Sequence, residues 1–179
     1  VLRPLLNRGF IPVVMGFSGA TLSGQSTTLG RGGSDYSATI LGAAMKADEV
    51  WIWTDVDGVL TADPRICTES VTLPEITFAE AIELSYYGAK VIHRKAIRPA
   101  MEHGIPVWIK NSFNPGLQGT KIVESMPLND RPVKAVTAVT QASLITLTTR
   151  RDVHFAEIFG RLFLRLGHEH IDVLFSTQS

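Results

Sequence analysis

The feature of this sequence that most constrains its fold is an alternation of apolar runs with segments of helical periodicity. Continuous apolar runs bounded by glycine are typical of buried strands, and apolar residues three or four positions apart are typical of one helix face. Strand, helix, strand, two helices and strand are predicted in that order, at residues 10–19, 34–46, 49–58, 78–85, 90–104 and 105–113. We expect Pro99 to restart the last of these helices. The order predicts an α/β domain with a mostly parallel sheet.

The composition of the chain excludes several classes of partner. Lysine plus arginine equals aspartate plus glutamate at 17 each, which argues against nucleic acid or an anionic membrane as a partner. No apolar run approaches the roughly 20 residues of a membrane-spanning helix. The single cysteine, Cys67, excludes an internal disulfide and indicates a reducing, cytoplasmic location. The chain begins with Val1, and we expect it to be a fragment of a longer protein.

A change of composition predicts a domain boundary in the second half of the chain. A stretch rich in glycine, proline and asparagine divides a first domain, at residues 1–126, from a linker and second unit at 127–179. In the second unit, alternating apolar residues at 143–149 and 171–175 predict two strands. The apolar spacing of residues 155–166 predicts a helix between them. We therefore expect a β-α-β unit that is cut off before it closes a domain.

The aromatic residues of the predicted strands are assigned to packing. Trp51, Trp53 and Trp108 fall in strand-like runs, which predicts that they lie in the core. The histidines near the carboxyl end lack a third partner at metal-ligand spacing, so we expect them on the surface.

A glycine-rich turn opens the first predicted helix, in the stretch TTLGRGGSDYSATILG at residues 27–42. Its two adjacent glycines allow the backbone to approach a ligand, and the amide groups at a helix start attract anions. Arg31 can bind a carboxylate or phosphate through two parallel hydrogen bonds. The alternative is that Ser34 or Asp35 only caps the helix while the glycines form a turn. The stretch alone leaves both interpretations open.

A second polar stretch, TDVDGVLTADPR at residues 54–65, holds three aspartates within nine residues. A calcium loop starting at Asp55 is excluded, because Gly58 stands at its fourth position instead of the sixth and Ile66 replaces the bidentate glutamate. A polar loop with an Asp-Gly turn is the alternative interpretation. Both polar stretches follow strand-like runs, so we expect them to converge beyond the carboxyl ends of the strands.

Four motifs resemble those of aspartate kinases in order and spacing: TTLGRGGSDYSA, TDVDGVLTADPR, SYYGAKVIH and IPVWIKNSFNP followed by GT. The tail after Pro132 resembles the start of the ACT domain that follows the kinase domain in that family. The resemblance covers nearly all of the chain. It implies an amino-acid-kinase fold, a mostly parallel sheet with helices on both faces, followed by a truncated ACT-like β-α-β unit. It also implies transfer of the γ-phosphoryl group of ATP to the β-carboxylate of L-aspartate, the first step of lysine, threonine and methionine biosynthesis.

The resemblance assigns roles to nine residues of this sequence. Asp35 organises the reacting centre, and Arg31 and Ser34 contact the aspartate substrate. Six residues contact ATP: Thr54, Asp55, Leu60, Arg65, Lys90 and Val91. Mg²⁺ enters bound to the nucleotide, and no dedicated metal site is expected. For the intact protein, the resemblance implies a homo-oligomer formed through ACT domains and feedback inhibition by an amino acid, lysine or threonine.

The chain departs from the family pattern at three places. It lacks the amino-terminal KFGGTS-like loop, Leu60 stands where tyrosine is frequent, and Arg94 stands where proline is usual. We therefore expect the chain to be inactive alone. One alternative is another amino-acid kinase, acting on glutamate, carbamate or a nucleotide, and the Ser34–Asp35 pair favours aspartate instead. The other is a non-catalytic, effector-binding ACT protein with a decayed kinase domain, which the intact charged residues argue against.

Overall fold

The computed structural model describes residues 2–88, 92–127, 133–148 and 154–177. The chain divides into two compact units, unit 1 at Val1–Thr140 and unit 2 at Gln141–Ser179, and each is described by itself. The described helices and strands are α1 (Leu2–Asn7), β1 (Ser18–Ala20), β2 (Ser26–Thr28), α2 (Gly33–Met45), β3 (Val50–Thr54), β4 (Glu75–Thr77), α3 (Phe78–Tyr86), α4 (Arg94–Glu102), β5 (Val107–Asn111), β6 (Thr120–Val123) and, in unit 2, α5 (Phe155–His168).

Unit 1 contains a four-stranded sheet in the order β3–β5–β6–β4. β3 runs parallel to β5, with Val50 opposite Val107, and β4 runs parallel to β6, with Ile76 opposite Ile122. β5 and β6 pair antiparallel. The mostly parallel α/β sheet that the sequence predicts is thereby confirmed. A separate two-stranded ribbon pairs β1 with β2 antiparallel.

Helices α2, α3 and α4 pack on the face of the sheet that carries Val50 and Ile52. Alternate residues of each strand point to this face, because side chains along a strand alternate between its two sides. Ala96 and Ala100 of α4 are completely buried, and their small side chains let α4 approach α2 closely. A β-carbon on Gly42 of α2 would stand 2.5 Å from Cγ2 of Val50, so this glycine allows α2 to lie directly against β3.

The opposite face of the sheet carries the three tryptophans of the chain around one lysine. Nζ of Lys110 lies 4.9, 5.7 and 5.5 Å from the ring centroids of Trp51, Trp53 and Trp108, respectively, within the range of a cation–π contact. Trp51 and Trp53 are 49% and 45% exposed, so the prediction that they lie in the core is wrong. Helices are expected on both faces, and α2, α3 and α4 lie on the face away from these rings.

Residues 10–17 do not form the buried strand predicted from their apolar run. Ile11 and Val13 are 90% and 98% exposed, and strand pairing begins only with β1 at Ser18. A strand buried on both faces needs neighbours for its backbone and its side chains. The carbonyl of Phe17 accepts a hydrogen bond from Leu29 N at 2.9 Å, but the exposed Ile11 and Val13 show that the segment is not covered on both faces. The apolar composition of this segment is typical of a buried strand, but the prediction of such a strand is wrong for residues 10–17.

Helix α4 is a single helix that contains Pro99 at its sixth position. The expectation that Pro99 restarts a helix is therefore wrong. Proline removes one backbone donor and crowds the preceding turn, yet the buried alanines on both sides hold the helix together by packing. The helix ends at Glu102 with His103 as its C-cap, followed by Gly104 with a φ of +64°.

Unit 2 contains the predicted helix, α5, which is confirmed at Phe155–His168. The rings of Phe155, Phe159 and Phe163 follow one another along it, with centroid separations of 4.7 and 5.1 Å. The strands predicted at 143–149 and 171–175 are wrong where the structure describes them, because those residues pair with no partner strand. None of the helices in the described ranges combines the length and the apolar character that crossing a membrane requires.

Candidate functional site

The glycine-rich turn leads directly into α2, as predicted. Gly30 and Gly32 have φ values of +76° and +71°, a region that side chains other than glycine rarely adopt. Gly32 is the residue that caps α2, and no side chain caps this helix start. The alternative in which Ser34 or Asp35 serves only as a helix cap is therefore wrong. The positive dipole end of α2 is therefore not neutralised by a side-chain cap.

The side chains of His93 and Phe17 pack against this turn. A β-carbon on Gly32 would stand 2.7 Å from Cβ of His93, and one on Gly33 would stand 2.8 Å from Cδ2 of Phe17. Phe17 is held in place because its backbone N–H donates to Oγ of Ser37 at 3.0 Å. The backbone of the turn is thus wedged between two side chains, and both glycines are needed for steric reasons.

The residues predicted to bind aspartate gather at this helix start. Arg31 and Ser34 are exposed, and Asp35 is half-buried in the first turn of α2. Partial burial raises the pKa of the Asp35 carboxyl, because leaving water disfavours its charged form. A cation, a hydroxyl and a carboxylate therefore surround one positively polarised helix end.

The second polar stretch begins where β3 ends. Thr54 is the last residue of β3, and its hydroxyl donates to Oδ1 of the exposed Asp55 at 3.1 Å. Its carbonyl accepts a hydrogen bond from Ser112 N at 2.8 Å. Nδ2 of Asn111 donates to Oδ1 of Asp57 at 2.6 Å. The loop after β3 is thereby tied to the end of the neighbouring strand β5.

The continuation of this loop is fixed by backbone pairing. Leu60 forms an antiparallel bridge with Thr72, and Thr61 N donates to Val71 O at 2.9 Å. Gly58 has a φ of +128°, and a β-carbon there would stand 2.5 Å from Oγ1 of Thr120. The loop that carries the predicted nucleotide residues is therefore held on its two sides.

Arg65 forms an ion pair with Asp63 at the exposed tip of the loop. Oδ2 of Asp63 accepts a hydrogen bond from Nη2 of Arg65 at 2.6 Å, and Oδ1 accepts one from Nε at 3.0 Å. The hydrogen bond and the charge of Asp63 raise the pKa of Arg65. The carboxylate therefore fixes one edge of the guanidinium group.

The remaining predicted ATP residues, Lys90 and Val91, lie outside the described residues. Sequence reasoning did not anticipate that His93, at the end of the SYYGAKVIH motif, packs on Gly32. The spacing of motifs in a sequence does not reveal which of them meet in space. Across the described ranges, no group of three or more histidine, cysteine, aspartate or glutamate side chains is arranged to hold a metal ion.

The two polar stretches lie toward one edge of unit 1. α2 leads into β3 through a four-residue turn, and Gly42 near the end of α2 packs on Val50 at the start of β3. A helix and a strand joined in this way run in opposite directions, so the start of α2 lies toward the end of β3. In open α/β sheets, this carboxyl edge is where ligands bind.

The model of the amino acid kinase family matches residues 1–111 of this chain. The chain therefore belongs to the amino acid kinase family. Aspartokinase 3, chloroplastic, from Arabidopsis thaliana is 44% identical over 173 residues, which are 94% of this chain and 31% of that protein. Lysine-sensitive aspartokinase 3 of Escherichia coli strain K12 is 40% identical over 181 residues, which are 99% of this chain and 39% of that protein.

A solved structure shows the same similarity in three dimensions. The crystal structure of E. coli aspartokinase III in complex with aspartate and ADP matches with a TM-score of 0.73 and 34% sequence identity. The match covers 99% of this chain and 39% of that one. The resemblance to aspartate kinases is thereby confirmed. The chain spans 31% to 39% of the length of these aspartokinases.

Proposed function

We propose that this chain is the part of an aspartate kinase that contains the nucleotide-binding half of the kinase domain and the start of an ACT regulatory domain. In the intact enzyme, the γ-phosphoryl group of ATP is transferred to the β-carboxylate of L-aspartate. The observation that carries the proposal is the start of α2, which has no side-chain cap and where Arg31, Ser34 and Asp35 stand next to two closely packed glycines. Support comes from the aspartokinases at 44% and 40% identity.

Arg31 and Ser34 are proposed to bind the aspartate substrate. A guanidinium group binds a carboxylate through two parallel hydrogen bonds, and Arg31 is exposed and able to do so. The hydroxyl of Ser34 adds a donor at the positive end of α2. Asp35 pairs with the ammonium group of the substrate or with the cations at the reacting centre. The related E. coli aspartokinase III whose structure holds aspartate and ADP supports this assignment.

The loop after β3 is proposed to bind ATP. Thr54, Asp55 and Leu60 lie along the nucleotide, and Arg65 reaches its phosphates with the guanidinium edge that Asp63 leaves open. Lys90 and Val91 close over the phosphates, as the family resemblance implies. Because lysine is a compact point charge and arginine a planar fork, the two cations contact phosphate oxygens in different ways.

Mg²⁺ is proposed to enter bound to the nucleotide. Two carboxylates of the loop after β3 already have partners: Asp57 accepts a hydrogen bond from Asn111, and Asp63 is paired with Arg65. Both observations agree with an ion that arrives on the nucleotide. Bound in this way, the ion would neutralise phosphate charge, and magnesium sites commonly rely on substrate phosphates for several ligands.

The proposed chemistry needs positioning and charge neutralisation from this chain. The β-carboxylate of aspartate, with a reference pKa of about 3.9, is ionised at neutral pH, so no general base has to activate it. Arg31 and Ser34 hold the attacking carboxylate in place, and the cations of the nucleotide loop offset the charge of the phosphates. Phosphoryl transfer is catalysed largely in this way.

Regulation is proposed by analogy with the relatives. One of them is named lysine-sensitive, which supports an amino-acid effector, lysine or threonine, that binds the intact protein. We further propose that ACT domains pair to form a homo-oligomer, that the linker to the ACT-like part begins near residue 127, and that the enzyme works in the cytoplasm.

Calorimetric titration of the chain with ATP in the presence of Mg²⁺ tests the nucleotide assignment. The Asp55→Ala variant is expected to lose ATP binding, because the proposal places Asp55, which is exposed at the carboxyl end of β3, in contact with the nucleotide. Asp48→Ala is the matched control, since Asp48 is also exposed but precedes the same strand. Absence of binding by a chain that circular dichroism shows to be folded would contradict the nucleotide assignment.

Hydrogen exchange tests the choice of substrate. L-aspartate is expected to slow amide exchange across residues 30–37 when ATP and Mg²⁺ are present, whereas L-glutamate is expected to leave it unchanged. Equal protection by both amino acids, or protection by glutamate alone, would favour a different amino acid kinase.

A further inference from the structure

We propose that residues 133–140, called the strap below, position the loop after β3, which carries candidate ATP residues, and the end of α3. The proposal rests on the proposed function, because it takes the loop after β3 to be part of the nucleotide site. The strap is the last part of unit 1. Its hydroxyl and backbone groups bind the loop after β3 and the end of α3, so that both segments are held by one stretch of chain.

The first attachment is to the loop after β3. The backbone N–H of Val136 donates to the carbonyl of Thr61 at 2.8 Å, while the N–H of Thr61 donates to Val71 O at 2.9 Å. Thr61 is therefore bound on both sides, like a residue in an inner strand. It directly follows Leu60 and lies four positions before Arg65. The strap thus fixes the backbone beside two candidate nucleotide residues.

The second attachment is to the end of α3. Oγ1 of Thr137 donates to the carbonyl of Tyr87 at 2.8 Å. A β-carbon on Gly88, whose φ is +105°, would stand 3.3 Å from the carbonyl oxygen of Ala138, so the two backbones lie close together. Tyr87 immediately follows α3, and its orphan carbonyl gains a donor from the strap.

This end of α3 leads, in sequence, to the segment with Lys90 and Val91. On the far side of that segment, the carbonyl of Ile92 accepts a hydrogen bond from Oγ of Ser85 at 2.8 Å. The described residues on either side of the candidate phosphate-binding segment are therefore each held by a hydrogen bond, Tyr87 by the strap and Ile92 by Ser85.

The third attachment anchors the strap at the start of α3. Nζ of Lys134 lies 2.6 Å from Oε1 of Glu80. Oε2 of Glu80 accepts a hydrogen bond from Thr77 N at 2.8 Å, and Oγ1 of Thr77 accepts one from Glu80 N at 3.2 Å, which completes a capping box. The strap is thereby fixed relative to both ends of α3.

Polar contacts, more than apolar burial, hold the strap in place. Val136 is 64% exposed, although its backbone N–H is bonded. A segment held mainly by hydrogen bonds can lose its hold on a neighbour when one donor is removed, without a cavity opening in the core. The hydroxyl of Thr137 is therefore the group to remove.

Thr137→Ala is the test variant, and two further variants serve as controls. Thr137→Ser keeps the hydroxyl and is expected to restore the wild-type behaviour. Thr140→Ala removes an exposed threonine at the end of the strap. In calorimetric titrations with Mg²⁺ and ATP, we expect Thr137→Ala to weaken binding about fivefold, as expected for one lost hydrogen bond, and both controls to bind like the wild type. Equal affinity of Thr137→Ala and wild type, or equal weakening in Thr140→Ala, overturns the proposal.

Amide hydrogen exchange measures the positioning directly. Thr137→Ala is expected to exchange several-fold faster across residues 58–66 and 84–88, while residues 36–45 of α2 keep the wild-type rate. Uniform acceleration throughout unit 1, or unchanged rates in the two segments, overturns the proposal. Failure of the wild type to bind ATP would instead refute the proposed nucleotide site, and the exchange rates would still decide whether the strap holds these segments.

Discussion

Cβ of His93 lies 2.7 Å from the point that a β-carbon on Gly32 would occupy. Gly32 caps α2, and His93 caps α4, where its Nδ1 accepts a hydrogen bond from Lys95 N at 3.3 Å. The starts of two helices therefore meet at a single glycine. Ser34 and Asp35 lie in the first turn of α2 and Arg31 precedes it, while α4 directly follows, in sequence, the motif with the proposed phosphate residues.

Gly32→Ala is expected to destabilise unit 1 more than Gly30→Ala does. Both glycines have positive φ values, so alanine at either position carries a backbone cost of roughly 1–2 kcal/mol. Only at Gly32 would the new methyl group also collide with His93, since nothing lies within 4 Å of a β-carbon on Gly30. Urea denaturation followed by circular dichroism measures the difference in the free energy of unfolding. Equal losses in the two variants would show that His93 moves away from the new methyl group at no cost.

Thr39→Val is expected to lower the free energy of unfolding by about 1–3 kcal/mol. Thr39 is completely buried, and its Oγ1 donates to Ala96 O at 2.5 Å, which joins α2 to α4. Valine keeps the shape and removes the donor. Thr140→Val, at an exposed position, is the control and is expected to change stability little. An unaltered denaturation midpoint for Thr39→Val would show that this hydrogen bond contributes nothing net.

Asp35→Asn is expected to stabilise the fold slightly at neutral pH. Burial raises the pKa of Asp35, so the folded chain binds more protons than the unfolded chain between the two pKa values. Stability therefore falls as pH rises through that window and stays lower above it. Asparagine removes this loss, with a gain below about 1 kcal/mol at pH 7 because the group is half exposed. The gain should vanish at pH 3, and a gain that persists there would have another origin.

Glu80→Gln is expected to remove part of the acid sensitivity of unit 1. Burial raises the pKa of Glu80, but hydrogen bonds from Lys134 and Thr77 and the charge of Lys134 lower it by more. A folded pKa below the unfolded value gives stability that is present above about pH 4.3 and is lost as pH falls through the folded pKa.

Denaturation midpoints between pH 3 and pH 7 test this expectation. Glu102→Gln is the control, because Glu102 also forms an ion pair, with Arg98 at 2.7 Å, but on an exposed helix surface. Identical pH profiles of stability for the two variants would contradict the expectation that Glu80 contributes more to the acid sensitivity of unit 1 than an exposed glutamate does.

The fold was predictable where local pattern and burial coincide. Burial alternates along residues 50–53 of β3, β5 departs from alternation only at the buried Lys110, and α2 begins within one residue of its predicted start. The run at residues 10–17 has the composition of a buried strand, yet burial depends on neighbours that periodicity does not contain. β4 and β6 are three and four residues long, too short for a pattern, and are stabilised by pairing with each other.

The positions of the two polar stretches along the fold were predictable, but their long-range contacts were not. The turn at Gly32 and the loop after Thr54 lie where the alternation of elements places them, after a strand and before a helix or at a strand end. The approach of His93 to Gly32 and the tie between Asn111 and Asp57 join residues more than 50 positions apart. Such contacts follow from how the helices and strands pack, which no single segment encodes.

The tryptophan face also determines what an optical measurement on this protein can see. All indole rings of the chain lie on one side of β3 and β5, and unit 2 contains none. Their emission is therefore a reporter of that surface and of Lys110 above it. A change in fluorescence would follow whatever approaches the sheet from this side.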